Sequence, residues 1–469
     1  MILKGKYELD VLNSTPAIMG IPLEILTEIF GVANEDSFDS PHLLPMAFVL
    51  GAVCKSWRQA VLSTPRLWCT ITLSFSESRR PHILHEKLQL CLSRSKSLPL
   101  CISLKAPPAL SKSLDEAVVM LLKESHRWRT FHLATVSEAL STFKKTEGMH
   151  APMLHALRLD VSDPEYCGFF PDSTHSIFNS AQLTTLQLHR MCPQLLSLRW
   201  DSIETLRATL DLDDCLFLFR VARFIRTCEL TIEDSALEEL PTEPYLQPYL
   251  STLTVTEQDG DGDILQSITA PELRKLSTVI GTQVCTAGLI EMIERSSCHL
   301  VVLDLMFDSE SQILDLFGNL PSLSSLILRG GVLLDKTLDA LNPSLAGNSH
   351  RTEQECLPSL VSFEYEGGIS FQPETMLNML NSRIDISKRY NESSNASNWP
   401  FQRLQVMRVK YDNPDWGKRI HPNTLKDFHK ALFSFGEDFD IELVGNNDDP
   451  YYRPPNSRTG FHRNRRSGL

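Results

Sequence analysis

Two short runs in the chain have residue types that can bind metal ions. The run from Asp259 to Asp263 (DGDGD) places carboxylates at alternate positions, as in the first half of an EF-hand calcium loop. Ile264 stands where that loop needs a glycine for its turn, and Ala270 stands where it needs a bidentate glutamate. We therefore interpret this run as a flexible acidic loop and not as a calcium site.

The second run is His82-x-x-His85 followed by Glu86, an order that differs from the helices that bind zinc. A surface helix with two histidines explains it better. The chain also has no glycine-rich phosphate loop, no G-x-S-x-G serine turn and no H-E-x-x-H pair. We expect no catalytic residue, no metal and no cofactor, although a hydrolase whose catalytic residues meet only in the folded chain remains an alternative.

Composition and charge narrow the class of protein further. The chain has 469 residues, 42% of them hydrophobic, with 45 lysines and arginines against 58 acidic residues, a net charge of −13. This charge argues against nucleic acid as a general partner. The 11 cysteines form no C-x-x-C pair, which favours reduced thiols. Residues 1–18 read as a leader without a signal peptide, and no stretch is long enough to span a bilayer, so we expect an intracellular protein with no membrane partner.

The segment that follows has the spacing of amphipathic helices. Leu23, Leu26 and Phe30 lie at i, i+3 and i+7, and Pro22 suits the first position of a helix. A second helix is predicted from about His42 onward. It should continue past Gly51 into AVCKSWRQAVLS, where Val53, Trp57 and Val61 lie at i, i+4 and i+8.

Beyond Ser78 the pattern predicts two helices around a short strand up to His126, and then the phrase L-x-x-L-x-L recurs. Most copies start 20 to 29 residues apart, which is the period of a strand with a helical or irregular return. The clearest copies are Leu154-Leu157-Leu159, Leu183-Leu186-Leu188, Leu250-Leu253-Val255, Leu300-Leu303-Leu305, Leu323-Leu326-Leu328, Leu360-Phe363-Tyr365 and Leu404-Met407-Val409, with weaker ones from Ile203 and Leu273. The repeats resemble the leucine-rich repeat family in a degenerate form, because the usual asparagine of the turn is missing.

The helical segment resembles the F-box family in two blocks that stand in the family's order. Ile21–Leu26 (IPLEIL) is similar to its opening L-P-x-E-I-L, and Val53–Arg58 (VCKSWR) to its V-C-[KR]-x-W-R. Ser63–Trp68 (STPRLW) is a common ending in the F-box proteins of mushroom-forming fungi. The predicted fold is α/β: a three-helix F-box module at 19–75, a helical and strand connector or first repeats at 76–126, an irregular leucine-rich-repeat solenoid of short parallel strands at 127–445, and a disordered tail at 446–469.

The resemblance implies a Skp-type adaptor as partner and, through it, the cullin of a ubiquitin ligase. The apolar helices of an F-box are too few to bury all their own surface, so part of it should face the adaptor. The residues assigned to this contact are Pro22, Leu23, Ile25, Leu26, Ile29, Phe30, Val53, Trp57 and Trp68. For the two tryptophans, the core of the module is an equally good location.

The repeats would then hold an unidentified target protein for ubiquitination. Residues between the core leucines should face outward, and from these we select Arg158, Gln187, Asp304, Arg329, Glu364 and Arg408 as target-binding candidates. The expected function is substrate recognition in a Skp–cullin–F-box ubiquitin ligase. Two alternatives stay open: an F-box scaffold that acts without ubiquitin ligation, and a repeat protein whose N-terminal helices only cap the solenoid.

Overall fold

The protein is described from a computed structural model. The description covers residues 21–35, 46–75, 81–105, 112–135, 149–161, 176–234, 240–257, 263–280, 283–343, 357–392, 402, 404–411 and 440–445. The chain divides into two compact units, Met1–Leu210 and Asp211–Leu469. Within the described residues, no helix is both long and apolar enough to cross a membrane.

The first elements of unit 1 among the described residues are the helices α1 (Leu23–Glu35), α2 (Met46–Val53) and α3 (Lys55–Ser63), followed by a 3-10 turn at Pro65–Trp68. The predicted second helix is in fact two helices. Cys54 interrupts it in an extended conformation and caps α3, because its Sγ accepts a hydrogen bond from the backbone N–H of Trp57 at 3.5 Å. The predicted start of that helix, at His42, lies outside the described residues.

The rest of unit 1 is a parallel sheet whose strands follow one another in chain order. The strands are β1 (Thr70–Ser74), β2 (Leu100–Lys105), β3 (Trp128–Thr135), β4 (Ala156–Val161), β5 (Thr185–His189) and β6 (Thr205–Leu210). Helices α4 (Pro81–Arg94) and α5 (Lys112–Leu122) connect the first three strands, and the short α6 (Ser176–Asn179) precedes β5. The two helices around a strand predicted between Ser78 and His126 are therefore confirmed.

Unit 2 continues the same strand-and-return design. Its parallel sheet has the order β7-β9-β11-β12-β13-β14-β15-β16, and β8 pairs with β10 in a separate two-stranded sheet. The strands are β7 (Thr227–Ile232), β8 (Tyr245–Leu246), β9 (Thr252–Glu257), β10 (Ile268–Thr269), β11 (Lys275–Ile280), β12 (Val302–Phe307), β13 (Ser325–Leu333), β14 (Ser362–Ile369), β15 (Val406–Tyr411) and β16 (Asp440–Gly445). The helices are α7 (Leu212–Val221), α8 (Asp263–Gln266), α9 (Gln283–Ser296), α10 (Glu310–Phe317), α11 (Asp335–Ala340) and α12 (Pro373–Glu392). The predicted α/β class with parallel strands is confirmed in both units.

The repeated leucine phrase forms the core of both sheets. In every copy predicted from the sequence, the first residue precedes a strand and the other two lie on it, and all three side chains are buried. Three further strands have the same buried pattern with other residue types: Trp68-Ile71-Leu73 on β1, Trp128-Phe131-Leu133 on β3 and Ile225-Cys228-Leu230 on β7. Burial of large apolar side chains at these positions thus stabilises each strand against its return segment.

Backbone hydrogen bonds join the amino ends of the unit 2 strands. The N–H of Ser251 donates to the carbonyl of Arg226 at 2.9 Å, that of Arg274 to Ser251 at 3.0 Å, and that of Val301 to Arg274 at 2.8 Å. The series continues through Ser324, Val361 and Gln405. We call this series the amino-end ladder, and it identifies equivalent positions in successive repeats.

Candidate protein-binding surfaces

Helix α1 has apolar side chains on two faces, and only one of them is covered. Leu26 and Phe30 are buried, and the Phe30 ring packs edge-to-face on Trp57 of α3 with the ring centroids 4.8 Å apart. Ile25, Ile29 and Val32 lie at i, i+4 and i+7, so they share another side of the helix. They are 54%, 49% and 65% exposed. We call these three residues the α1 stripe.

The predicted adaptor-binding residues divide into an exposed and a buried set. Pro22, Leu23, Ile25, Ile29 and Val53 are exposed, and Trp57 is half-buried between α1 and solvent. The remaining three, Leu26, Phe30 and Trp68, are buried in the chain's own core. Helical periodicity selected them as apolar, but contacts within unit 1 already use their surface.

The contacts of Trp68 explain why this side chain is buried. Its indole N–H donates to the carbonyl of Val61 at 2.9 Å, and its ring packs edge-to-face on Phe48 with a centroid distance of 5.3 Å. It is also the first residue of the buried pattern that continues on β1 with Ile71. Of the two locations considered for Trp68, the structure therefore favours the core.

Arg66 fixes α1 against the 3-10 turn. Its Nη2 donates to the carbonyl of Thr27 at 3.0 Å and lies 2.9 Å from a carboxylate oxygen of Glu28. The guanidinium crosses α1 directly over Gly31, where a Cβ atom would stand 2.7 Å from Nη2. A glycine at this point lets the arginine approach the helix closely. The contacts of Arg66 therefore hold α1, and with it the α1 stripe, in a fixed position.

An open hollow of about 480 Å³ lies along α3. Lys55, Arg58, Gln59, Leu62 and Ser63 line it. Leu62 is exposed and supplies apolar surface, while Lys55 and Arg58 supply positive charge. Arg58 also ties α3 to α2, because its Nε donates to the carbonyl of Gly51 at 2.8 Å. The helical segment therefore adds a small basic hollow to the apolar stripe.

The six target-binding candidates lie on strands, with their side chains on the face opposite the buried leucines. In unit 1, Arg158 and Gln187 are direct neighbours in the register of β4 and β5. In unit 2, Asp304, Glu364 and Arg408 occupy one register row, in which Ile327 separates the first two. The structure thus brings four of the candidates together in unit 2 and the other two in unit 1.

The four candidates of unit 2 form two ion pairs with one another. An Nη2 of Arg329 lies 3.0 Å from Oδ2 of Asp304, and an Nη1 of Arg408 lies 3.2 Å from Oε1 of Glu364. Both pairs cross between adjacent strands at the surface, where ion pairs contribute little to stability. The charges of these four residues compensate one another, so the four residues by themselves favour no partner of one sign.

Two thiols of unit 1 are held in their neutral form by burial. Burial raises the pKa of the Cys91 thiol to about 12 and that of Cys69 to about 11, so both stay protonated near neutral pH. Among the described residues, no three metal-binding side chains lie together. His85 instead lies 3.6 Å from a Glu116 carboxylate oxygen. Of the acidic run, residues 259–262 lie outside the described residues, and Asp263 begins α8.

These surfaces carry the evidence on function, because comparison with known proteins adds none. The chain matches no family model, and no curated protein is significantly similar to it in sequence.

Proposed function

We propose that the chain is the substrate-recognition subunit of a Skp–cullin–F-box ubiquitin ligase. In this proposal α1–α3 are the F-box and bind a Skp-type adaptor, while the strand faces hold a target protein. The chain itself performs no chemistry. It raises the local concentration of target lysines around a ubiquitin thioester that another subunit carries.

The observation that carries this proposal is the α1 stripe. Three β-branched aliphatic side chains, each about half exposed or more, stand in a row on a helix whose other face is already packed. Exposed aliphatic residues are normal when single, but a contiguous row on one helix is typical of a partner contact. Covering it would contribute roughly 25 cal/mol for each Å² of apolar surface removed from water.

The location of the two family-like blocks supports the same proposal. IPLEIL includes the first residues of α1, and VCKSWR spans the junction between α2 and α3. Pro22 comes immediately before α1, and its carbonyl accepts the first bond of the helix from the N–H of Leu26 at 3.0 Å. The residues that resemble an F-box are therefore those that shape and position the stripe.

We further propose that the two sheets are degenerate leucine-rich repeats. The supporting observation is the buried three-residue pattern, which returns with parallel pairing in strand after strand of each unit. The outward residues of such strands form an extended binding surface. Target recognition is assigned to this surface, with Arg158 and Gln187 in unit 1 and the two ion pairs in unit 2.

Binding of the full chain to a purified Skp-type adaptor tests the F-box assignment. The variant Ile25→Asp/Ile29→Asp places two carboxylates in the stripe without touching Leu26 or Phe30. We expect its affinity for the adaptor to fall by about 100-fold or more, since buried interface side chains dominate binding energy. Val119→Asp, on an exposed apolar position of α5, is the matched control and should bind like the wild type. Failure of the wild type to bind, or equal binding by the stripe variant, would reject the assignment.

Addition of cullin separates the ligase from a scaffold. A ligase subunit should join adaptor and cullin in one complex that elutes together in size-exclusion chromatography. A complex with adaptor that excludes cullin would reject the ligase and leave the scaffold as the function.

A further inference from the structure

The open hollow along α3 lies on the side of the helix that faces away from the core. Ala60 and Val61 are buried on the core side. The residues that line the hollow are all exposed, and they stand at i, i+3, i+4, i+7 and i+8, so they share one side of α3. They are Lys55, Arg58, Gln59, Leu62 and Ser63, and we call this site the α3 hollow.

The two positive charges of the α3 hollow are not neutralised by a neighbouring side chain. The Nε of Arg58 donates to the Gly51 carbonyl at 2.8 Å, and this neutral acceptor leaves the charge of the guanidinium in place. Among the described residues, no carboxylate pairs with Lys55 or with Arg58. In contrast, Arg66 lies 2.9 Å from a carboxylate oxygen of Glu28. The hollow therefore presents two cations whose charge is available to a partner.

The sequence around α3 lacks acidic residues. From Ser40 to Ser76 there is no aspartate or glutamate, although the whole chain has 58 of them among 469 residues. The same stretch has three strong cations, Lys55, Arg58 and Arg66. On a chain with a net charge of −13, this segment is a local positive region. Charge complementarity favours a negatively charged partner at this place.

Lys55 occupies a position that is unfavourable for a lysine in an isolated helix. It is the first residue of α3, and the first turn has no acidic residue. The amino end of a helix is its positive end, so the dipole repels a lysine there and attracts a carboxylate. A carboxylate of a partner at this point would be attracted by Lys55 and by the helix dipole together.

Leu62 adds an apolar contact to the same side of α3. The outward side of a surface helix is normally polar, but Leu62 is 47% exposed. It stands one turn after Arg58, whose Nε bond to the Gly51 carbonyl holds the guanidinium in place. A fixed arginine loses little entropy when a partner binds. The hollow thus combines a positioned guanidinium with exposed aliphatic surface.

We infer that the α3 hollow is a docking site for an acidic protein segment that also carries an apolar side chain. The carboxylates of the segment bind Lys55 and the two Nη atoms of Arg58, and its apolar side chain packs on Leu62. Nucleic acid fits less well, because its affinity depends on many phosphate contacts and the hollow offers two cations. The inference does not depend on the proposed adaptor contact, since no residue of the α1 stripe lines the hollow.

Fluorescence anisotropy on the full chain, without adaptor, tests the site with a defined probe. The probe is a short fluorescein-labelled peptide of alternating glutamate and leucine, and a matched peptide has lysine in place of glutamate. We expect saturable binding of the acidic peptide, weakened about tenfold or more by Lys55→Glu and by Leu62→Ser. Binding should also weaken as the salt concentration rises from about 0.05 M to about 0.5 M.

Lys123→Glu is the matched control, because it makes the same change of charge at an exposed lysine after α5. It should bind the acidic peptide as the wild type does. Equal weakening by Lys123→Glu would show attraction to the whole chain without a site, and would overturn the inference.

The inference is also wrong if the wild type does not bind the acidic peptide, if the lysine peptide binds equally well, or if Lys55→Glu and Leu62→Ser bind as tightly as the wild type. Tight binding of labelled oligothymidine that Lys55→Glu abolishes would make the hollow a nucleic-acid site instead. Thermal unfolding of each variant checks the fold. We expect both variants to fold, because a glutamate suits the first turn of α3 and Leu62 is exposed.

Discussion

The guanidinium carbon of Arg94 lies 4.6 Å from the centroid of the Trp68 indole ring, and this contact joins α4 to the end of the N-terminal helices. The connection continues in the backbone, since β1 follows Trp68 at once and pairs with β2 from Thr70 to Ser74. The helical segment and the first strands thus share one core within unit 1. Removal of residues 1–75 would delete an edge strand together with the helices, so point variants of the stripe are the sharper test of adaptor binding.

The first prediction concerns the shared core. Trp68→Ala should lower the free energy of unfolding by about 3–5 kcal/mol, because it removes a buried ring and leaves a cavity against Phe48 and Arg94. It also leaves the Val61 carbonyl without the indole donor. Urea denaturation followed by circular dichroism measures the loss.

Val53→Ala is the control for this measurement, since Val53 belongs to the predicted adaptor-binding set and is exposed, outside the core. Its free energy of unfolding should stay within about 0.5 kcal/mol of the wild type. A loss of less than about 1 kcal/mol for Trp68→Ala would contradict the core assignment and return Trp68 to the interface candidates.

The second prediction concerns Gly31 and Arg66. Alanine normally favours a helix over glycine by about 0.5–1 kcal/mol. In the wild-type background the gain should be smaller, because the new Cβ displaces the guanidinium from the Thr27 carbonyl and from Glu28. In an Arg66→Ala background the full gain should return. A double-mutant cycle on the free energy of unfolding measures this coupling, and purely additive effects would show that Arg66 does not fasten α1.

The strands were predictable where leucine marks them and not elsewhere. The pattern Leu300-Leu303-Leu305 predicts its strand directly, because only burial explains three large aliphatic residues at that spacing. β1, β3 and β7 were missed as repeat copies since tryptophan, phenylalanine and cysteine take the leucine positions. These residues are buried at the same positions of the repeat, but their types do not match the L-x-x-L-x-L pattern.

The two faces of α1 were not separable from the sequence. Leu26 and Ile25 are both large and aliphatic, and a helix that is apolar nearly all round gives periodicity no face to choose. Their difference comes from packing within unit 1, which buries Leu26 and places Trp57 of α3 on Phe30 but leaves Ile25 and Ile29 in solvent. Which face is covered depends on tertiary contacts, which the spacing of residues along one helix does not contain. The contact between the Phe224 and Tyr249 rings was missed for the same reason, because 25 residues separate two rings that meet only in the fold.

The third prediction is a loss of stability at alkaline pH through Cys91. Burial raises the pKa of this thiol from 9.0 to about 12, so the folded protein disfavours the thiolate. The thiol therefore stabilises the fold fully below about pH 9, and this contribution is lost as the pH rises through the window from about 9 to about 12. In reducing buffer, the stability difference between wild type and Cys91→Ala should shrink by about 1 kcal/mol from pH 8 to about pH 10.

Leu88→Ala gives the matched control for this pH series. Leu88 is fully buried on the same helix as Cys91 and does not titrate. Its stability deficit relative to the wild type should be the same at both pH values. If the Cys91→Ala deficit also stays constant, the thiol is accessible to water in the folded protein and the buried position of Cys91 is wrong.

The last prediction concerns the ion pair between Asp304 and Arg329 on the proposed target-binding face. Its two side chains are 17% and 51% exposed, and solvent screens the pair on the arginine side. A double-mutant cycle with Asp304→Ala and Arg329→Ala should give a coupling energy below about 1 kcal/mol, which falls further in about 1 M salt. The pair of Glu364 and Arg408, at 3.2 Å, should behave alike. A weak pair can open at small cost when a charged target arrives, whereas a coupling above about 2 kcal/mol at high salt would mean that these residues hold the strands together and are not available for binding.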